Sequence, residues 1–172
     1  MRNPDQAHEP REVAHDIVSK RKRSEMMRAV RREATPAELV VRGMVRESGA
    51  SYRTNNRRLP GSPDLSNQRH RWAIFVHGCF WHGHRNCSKT KGGASGRIPR
   101  TRSEFWRAKL EGNRRRDEAN LFNLESLGLR ILVIWECELR TPARVRSRIR
   151  RFLEPPKRIQ TTGLNTKSLH HR

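Results

Sequence analysis

Three cysteines in 172 residues are too few, and of the wrong parity, for a disulfide framework. At least one thiol stays unpaired, so a secreted, cross-linked scaffold is disfavoured and a reduced, cytoplasmic setting is expected. The chain also lacks any apolar run long enough to cross a bilayer, and no segment shows the wide hydrophobic face of a helix that lies on one. Its N-terminus carries acids and no apolar core, so no signal peptide is expected. No internal repeat is present, which argues against a solenoid. Acids are scarce: 17 Asp and Glu stand against 38 Lys and Arg, a formal net charge of +21. The basic residues recur from Arg2 to Arg172 rather than forming one tail. Such a field attracts phosphate polyanions, because neutralising phosphates releases condensed counterions. With no membrane signature beside it, nucleic acid is the expected partner. The blander alternative is a solvated basic surface that binds polyanions without specificity.

Apolar residues make up only 33 % of the chain but are concentrated in a few segments, enough for one domain with a small core. Residues 1–22 and 155–172 are polar and without apolar periodicity, and are expected to be flexible tails around a domain over 23–154. Ser24 to Val30 suits a short basic helix. Thr35-Pro36-Ala37-Glu38 is a stronger start signal, with Thr as N-cap, Pro at the first helical position and Glu three after the cap. That helix is expected to end at Gly49. A short strand near Ser51 to Arg53 leads through a turn-rich stretch to Asp64, and Asn67-Gln68 allows a reversal into the apolar run Trp72 to Val76. Lys89 to Arg102 reads as a basic loop. A long helix opens near Ser103 and reaches Leu127, with Leu121, Leu124 and Leu127 at helical spacing and Gly128 as its cap. Leu129 to Glu136 is the clearest strand and delivers Cys137 at its end. Thr141-Pro142 starts a last helix with Val145, Ile149 and Phe152 on one face, halted by Pro155-Pro156. Helix, three strands, helix, strand, helix implies a mixed sheet flanked by helices.

The densest chemistry lies between His77 and Cys87, where three histidines, two thiols, Phe80 and Trp81 fall within eleven residues. Core packing does not account for that composition. Cys79, His84 and Cys87 form a C-x4-H-x2-C pattern suited to zinc, and His77 and His82 are left as candidate acid/base groups.

Leu59-Pro60-Gly61-Ser62-Pro63-Asp64, Phe75 to His82, Arg100 to Trp106 and Val133 to Arg140 together resemble very-short-patch repair (Vsr) endonucleases, over roughly residues 19 to 152. These motifs also occur in the family's order. The resemblance implies an α/β, restriction-endonuclease-like fold of the PD-(D/E)xK type, a mixed central sheet flanked by helices with a structural zinc site. It implies a Mg²⁺-dependent enzyme that nicks double-stranded DNA 5′ to the thymine of a T:G mismatch, the product of 5-methylcytosine deamination. Coupling to a cytosine-5 DNA methyltransferase and to mismatch-repair proteins, a monomeric state and a bacterial, nucleoid-associated location are expectations of the same kind.

Residue by residue, the resemblance assigns Asp64 to Mg²⁺, with the main-chain carbonyl of Val76 as second protein ligand and two ions expected. Hard Mg²⁺ favours such oxygen donors. Where an ordinary nuclease of this class has an E-x-K, this strand has no acid, and His77 and His82 fill the gap. His82 would accept the proton of the attacking water, Asp117 would orient it and His77 would join the network. Read locally, Asp117 in its Arg-rich helix is an exposed acid paired with Arg114 or Arg116. Glu38 is open between a place near the metal-bound waters and a purely local helix cap. The zinc ligands would be Cys79, His84, Cys87 and Cys137. Arg85-Asn86 is one residue longer than the family's usual spacer, which leaves His82 as a competitor to His84. Phe80, Trp81 and Trp106 resemble the aromatic wedge inserted beside the mismatch; Trp72 and Trp135 read as core. Two other functions are compatible with these residues: a related nickase or restriction-type endonuclease with a different target, and a zinc-stabilised DNA-binding module without catalysis.

Overall fold

The computed structural model describes residues 19, 21, 22, 24, 25, 34–84, 87, 98, 99 and 102–155. Apart from those few positions, the expected tails, the basic helix over Ser24 to Val30 and the loop from Lys89 to Arg102 lie outside the described residues. Helix α1 (Pro36–Glu47) is followed by β1 (Arg53–Thr54), β2 (Leu65–Asn67) and β3 (Trp72–His77). Then come helix α2 (Ser103–Ser126), β4 (Arg130–Trp135), a 3-10 turn (Glu136–Arg140) and helix α3 (Pro142–Leu153). The sheet order is β1-β2-β3-β4, antiparallel except for the parallel β3–β4 pair. This is a mixed α/β fold, and the order of elements is the one the sequence pattern predicts.

The period of two along the strands sorts residues onto two faces. On one face, Trp72 and Ile74 of β3 with Leu132 and Ile134 of β4 meet Val41, Met44 and Val45 of α1 and Val145 and Ile149 of α3. On the other, Ala73 and Phe75 with Ile131 and Val133 meet Leu121 and Leu124 of α2. The sheet is therefore sandwiched, with α1 and α3 on one side and α2 on the other. Ile74 is fully buried in the strand flanked by both β2 and β4. Ile74→Ala should cost about 2–5 kcal/mol by leaving a cavity there, read as a lower denaturant midpoint at unchanged slope.

Local signals set the boundaries. Thr35 caps α1, its hydroxyl oxygen accepting from the Glu38 N–H, and Gly49 follows the helix with φ +75°. Asn67 accepts from the His70 N–H to form the turn between β2 and β3. The first strand is shorter and later than Ser51 to Arg53, because it extends only over the two residues that pair with Leu65 and Ser66, and Asn55 turns the chain away with φ +45°. Leu127 is half-exposed rather than core, lying past the last turn of α2. Among the described residues, no helix is long and apolar enough to cross a membrane.

Candidate active site

Where β3 ends, the row of side chains facing α2 changes from apolar Ala73 and Phe75 to His77. A tight turn then folds the chain back on itself: His82 N–H donates to the Gly78 carbonyl at 3.2 Å and His84 N–H to the Cys79 carbonyl at 3.0 Å. Gly83 sits at φ +61°, and a Cβ there would approach the Arg114 side chain to 3.1 Å, so a larger residue would be both strained and crowded. The turn lays the His82 ring over that of His77, with centroids 3.9 Å apart and planes inclined by 6°.

Helix α2 grips this turn with residues four apart on one face, as helical spacing requires. Asn113 Nδ2 donates to the Trp81 carbonyl at 2.8 Å, and Asp117 Oδ2 lies 2.6 Å from His82 Nδ1. The local ion-pair reading of Asp117 therefore gives way: Arg114 contacts Glu111, and Arg116 contacts Asn113. In the tautomer that donates Nδ1–H to the carboxylate, His82 keeps the Nε2 lone pair for another partner. Burial, and then the neighbouring His82, lower the pKa of His77 to about 4. His77 is thus neutral near pH 7.

Asp64 lines the same open cleft of about 1000 Å³, with His77, His82, Asp117, Glu38 and Trp81. Its Oδ2 accepts from the Val76 N–H at 2.7 Å. Burial, the largest influence, raises its pKa to about 6, and Glu38 adds to the rise while the Val76 N–H and Arg42 oppose it. A buried carboxylate of this kind is costly to ionise unless a cation compensates.

The end of the ladder explains why Val76 is suited to share that cation. The β2–β3 register pairs Leu65 with Ile74, so its continuation sets Pro63 opposite Val76. Proline has no N–H to give the Val76 carbonyl. The Pro63 carbonyl itself accepts from Asn56 N–H, and the Val76 N–H turns to Asp64 instead. In an extended residue N–H and C=O point to the same strand edge, so the Val76 carbonyl faces the side on which Asp64 lies. Asp64 and this carbonyl fit a hard divalent cation.

Glu38 fulfils the cap reading and still belongs to the cleft. Its carboxylate accepts from Thr35 Oγ1 and Ala34 N–H, each at 2.9 Å, and from Arg42 at 3.2 Å. The reciprocal arm of the capping box thus reaches the N–H of Ala34, one residue before the cap. Glu38 is buried, and its charge is among those acting on Asp64.

Beside this cleft lies a second cluster, in which one ligand atom each from Cys79, His84, Cys87 and Cys137 lie within 4.8 Å of one another. His84 is the histidine that joins the thiols, with Nδ1 3.3 Å from Cys137 Sγ, whereas His82 lies with His77 and Asp117. Burial raises the Cys79 thiol to about 12 and raises the Cys137 thiol as well, so these two sulfurs stay protonated unless a metal ion replaces their protons. Three sulfurs and one imidazole fit a tetrahedral metal ion with no open position.

Over the outer side of the turn, Phe80, Trp81 and Trp106 form one aromatic cluster with centroid separations of 5.1–6.1 Å. Phe105 extends it, and Lys109 Nζ lies 5.7–5.8 Å from three of its rings. Sequence reasoning missed Asn113 and Arg42 as site residues; the four-residue spacing from Asn113 to Asp117 is the signal that could have found the first. It also misplaced Trp135, which is half-buried between the two clusters rather than in the core.

Comparison with known proteins identifies the family of the chain. Residues 15–89 match the model of the family described as DNA mismatch endonuclease Vsr. The chain is 38 % identical to the DNA mismatch endonuclease Vsr of Escherichia coli K12, over 73 % of this chain and 76 % of that protein. This chain belongs to the Vsr endonuclease family. The type II nicking enzyme V.NmeAIP of Neisseria meningitidis serogroup A is 37 % identical over 80 % of this chain and 94 % of its own length. V.XorIIP of Xanthomonas oryzae pv. oryzae, another type II nicking enzyme, is 36 % identical over 81 % and 98 %. The family-model match contains Asp64, His77, His82 and three members of the Cys/His cluster. Asp117 and Cys137 lie beyond it, and this Vsr endonuclease brings them to the site on α2 and at the end of β4.

Proposed function

We propose that this endonuclease is a Mg²⁺-dependent, zinc-stabilised DNA nicking enzyme that cuts 5′ to the thymine of a T:G mismatch, on a restriction-endonuclease-like fold. The observation that carries the reading is the Asp117–His82 contact, stacked on His77 and sharing one cleft with Asp64 beneath an aromatic cluster. A binding module has no need of this arrangement. Asp64 and the Val76 carbonyl would hold Mg²⁺, with Glu38 beside them. Mg²⁺ bound there would stabilise charge on the attacking and leaving oxygens.

The chain's own residues handle the proton and the geometry. Asp117 fixes the His82 ring through Nδ1, and Nε2 accepts a proton as a water oxygen attacks phosphorus. The bond from phosphorus to the 3′ oxygen breaks, leaving a 5′-phosphate and, once that oxygen is protonated, a 3′-hydroxyl. His77, neutral and stacked, keeps the His82 ring from tilting out of line. Cys79, His84, Cys87 and Cys137 would hold Zn²⁺ as a structural ion that fastens the turn to the end of β4.

Phe80, Trp81 and Trp106 are the groups suited to replace base stacking that a mismatch already weakens. Unstacking a mismatched step costs less than unstacking a matched one, so aromatic insertion favours T:G duplexes. Phosphate contacts from the +21 surface act on every duplex alike. With Mg²⁺, the protein should nick a T:G duplex and leave its matched counterpart intact. Trp81→Ala should lose about tenfold or more of that nicking while matched-duplex binding at moderate salt barely changes. Equal nicking of matched and mismatched DNA by the wild type would replace the mismatch reading with that of a nickase for another target. Normal T:G nicking by Trp81→Ala would make Trp81 a packing residue.

A further inference from the structure

Between the Cys/His cluster and the histidine pair, one side chain touches both. Trp135 is the β4 partner of His77 in the parallel ladder, so the two share a sheet face. Its indole lies flat on the His84 ring, with centroids 4.1 Å apart and planes inclined by 4°. Its edge meets His77 at 5.2 Å and 75°. His77 in turn stacks on His82, whose Nδ1 contacts Asp117. Rings thus run without a break from the metal-ligand cluster to the group that accepts the proton. The Trp135 main chain is held as well, its N–H donating to Glu138 at 2.7 Å.

We propose that Trp135 is a positioning residue for the nicking reaction: clamped by its stack on His84, it fixes the His77 ring, and through it the His82 ring, at the angle proton transfer requires. Among the described residues, ring contacts are what orient His77. It is buried, and its ring neighbours are Phe75, His82 and Trp135. Without the indole, the imidazole pair can rotate together, and proton transfer depends steeply on such alignment. A parallel stack between His84 and the indole also ties the angle of Trp135 to the ring of a metal ligand. The integrity of the Cys/His cluster would therefore reach the reaction through ring contacts as well as through the backbone of the turn.

The proposal rests on the nicking reading for its kinetics but not for its geometry, and the test separates the two. Trp135→Phe, Trp135→Leu and His84→Cys are compared with wild type, all as the full chain loaded with Zn²⁺. Trp135→Phe keeps an aromatic face and edge. His84→Cys keeps four metal donors but removes the ring under the indole. NMR of the His77 and His82 ring protons reads their surroundings directly, since the indole and the stacked imidazoles shift them by ring currents. Trp135→Leu should move both sets of signals and lower the single-turnover nicking rate about 10- to 100-fold, with zinc content and duplex affinity retained. Trp135→Phe should recover most of the rate, and His84→Cys should resemble Trp135→Leu at full zinc content. Unmoved His82 signals in Trp135→Leu would overturn the coupling whether or not the protein nicks DNA. So would moved signals with a wild-type rate, or a rate loss matched by an equal loss of affinity. If Trp135→Leu fails to retain zinc, His84→Cys and Trp135→Phe decide: wild-type rates in the first, or no recovery in the second, refute it. A wild-type protein with no nicking activity but with the expected ring shifts would refute the nicking reading and leave the ring coupling standing.

Discussion

Asp64→Ala and His82→Ala are each expected to lower single-turnover nicking of a T:G duplex by about 10²- to 10⁴-fold or more, with duplex affinity nearly unchanged. The split follows from where the two side chains act. Affinity comes from many phosphate contacts on a surface of net charge +21, and neither residue is one of the Lys and Arg side chains that supply that charge. Asp64 is a buried carboxylate held by the Val76 N–H, and replacing it removes the acid that makes a cation welcome at the end of β3. Removing it also relieves repulsion between that acid and the DNA backbone, so affinity should rise if it changes at all. His82→Ala removes the acceptor and leaves Asp117 facing the cleft without its partner. Asp117→Asn keeps the shape and can still hold the ring, but it can turn the imidazole to the tautomer whose Nε2 bears the proton. It should therefore lose rate with no change in affinity. A His82→Ala protein that nicks at the wild-type rate would return His82 to a merely structural role and Asp117 to the surface chemistry of its helix.

The parts of this site that could be read in the sequence are those encoded by neighbours. Thr35 to Glu38 announces a capped helix, and Pro63-Asp64 a turn that becomes a strand, because backbone chemistry within four residues sets both. The apolar runs at Trp72 and Ile131 locate the two parallel strands, since buried strands need continuous apolar side chains. Cys79, His84 and Cys87 announce by spacing a cluster that could hold a metal. The parts that could not be read depend on contacts between distant segments. Asp117 sits among Arg114, Arg115 and Arg116, and by helical spacing alone it is a solvated acid; only the packing of α2 over the turn brings it to a histidine 35 positions away. Trp135 follows an apolar strand and reads as its last core residue. At that level of the sheet, however, its ladder partner is His77 instead of an apolar side chain, so the indole packs against imidazoles. Glu38 shows the two scales meeting. Its cap bonds are local and legible, whereas its influence on Asp64 follows from the way α1 packs on the sheet.

Removal of the metal from the Cys/His cluster should affect stability and activity together. Protein purified without chelators should carry one zinc per chain, and Cys137→Ser should lower that content substantially, because a hydroxyl is a poor substitute for thiolate. Cys137 comes from the turn after β4, while Cys79, His84 and Cys87 come from the segment after β3, so an ion held by all four would join elements far apart in sequence. A ligand present only in the folded state contributes its binding energy to folding. If the variant loses about 3 kcal/mol of that contribution, its midpoint of thermal unfolding should fall by roughly 10 °C. The comparison has an internal control: after chelation, wild type and Cys137→Ser should unfold at nearly the same temperature, since the variant differs by a single atom in a site with no ion to hold. The turn that such an ion would fasten bears His82 as well as Phe80 and Trp81, so nicking should decline in parallel with zinc content and return when Zn²⁺ is restored to the chelated wild type. Wild-type protein without zinc, or a Cys137→Ser protein that keeps both its zinc and its unfolding temperature, would show that the three thiols are buried for packing alone.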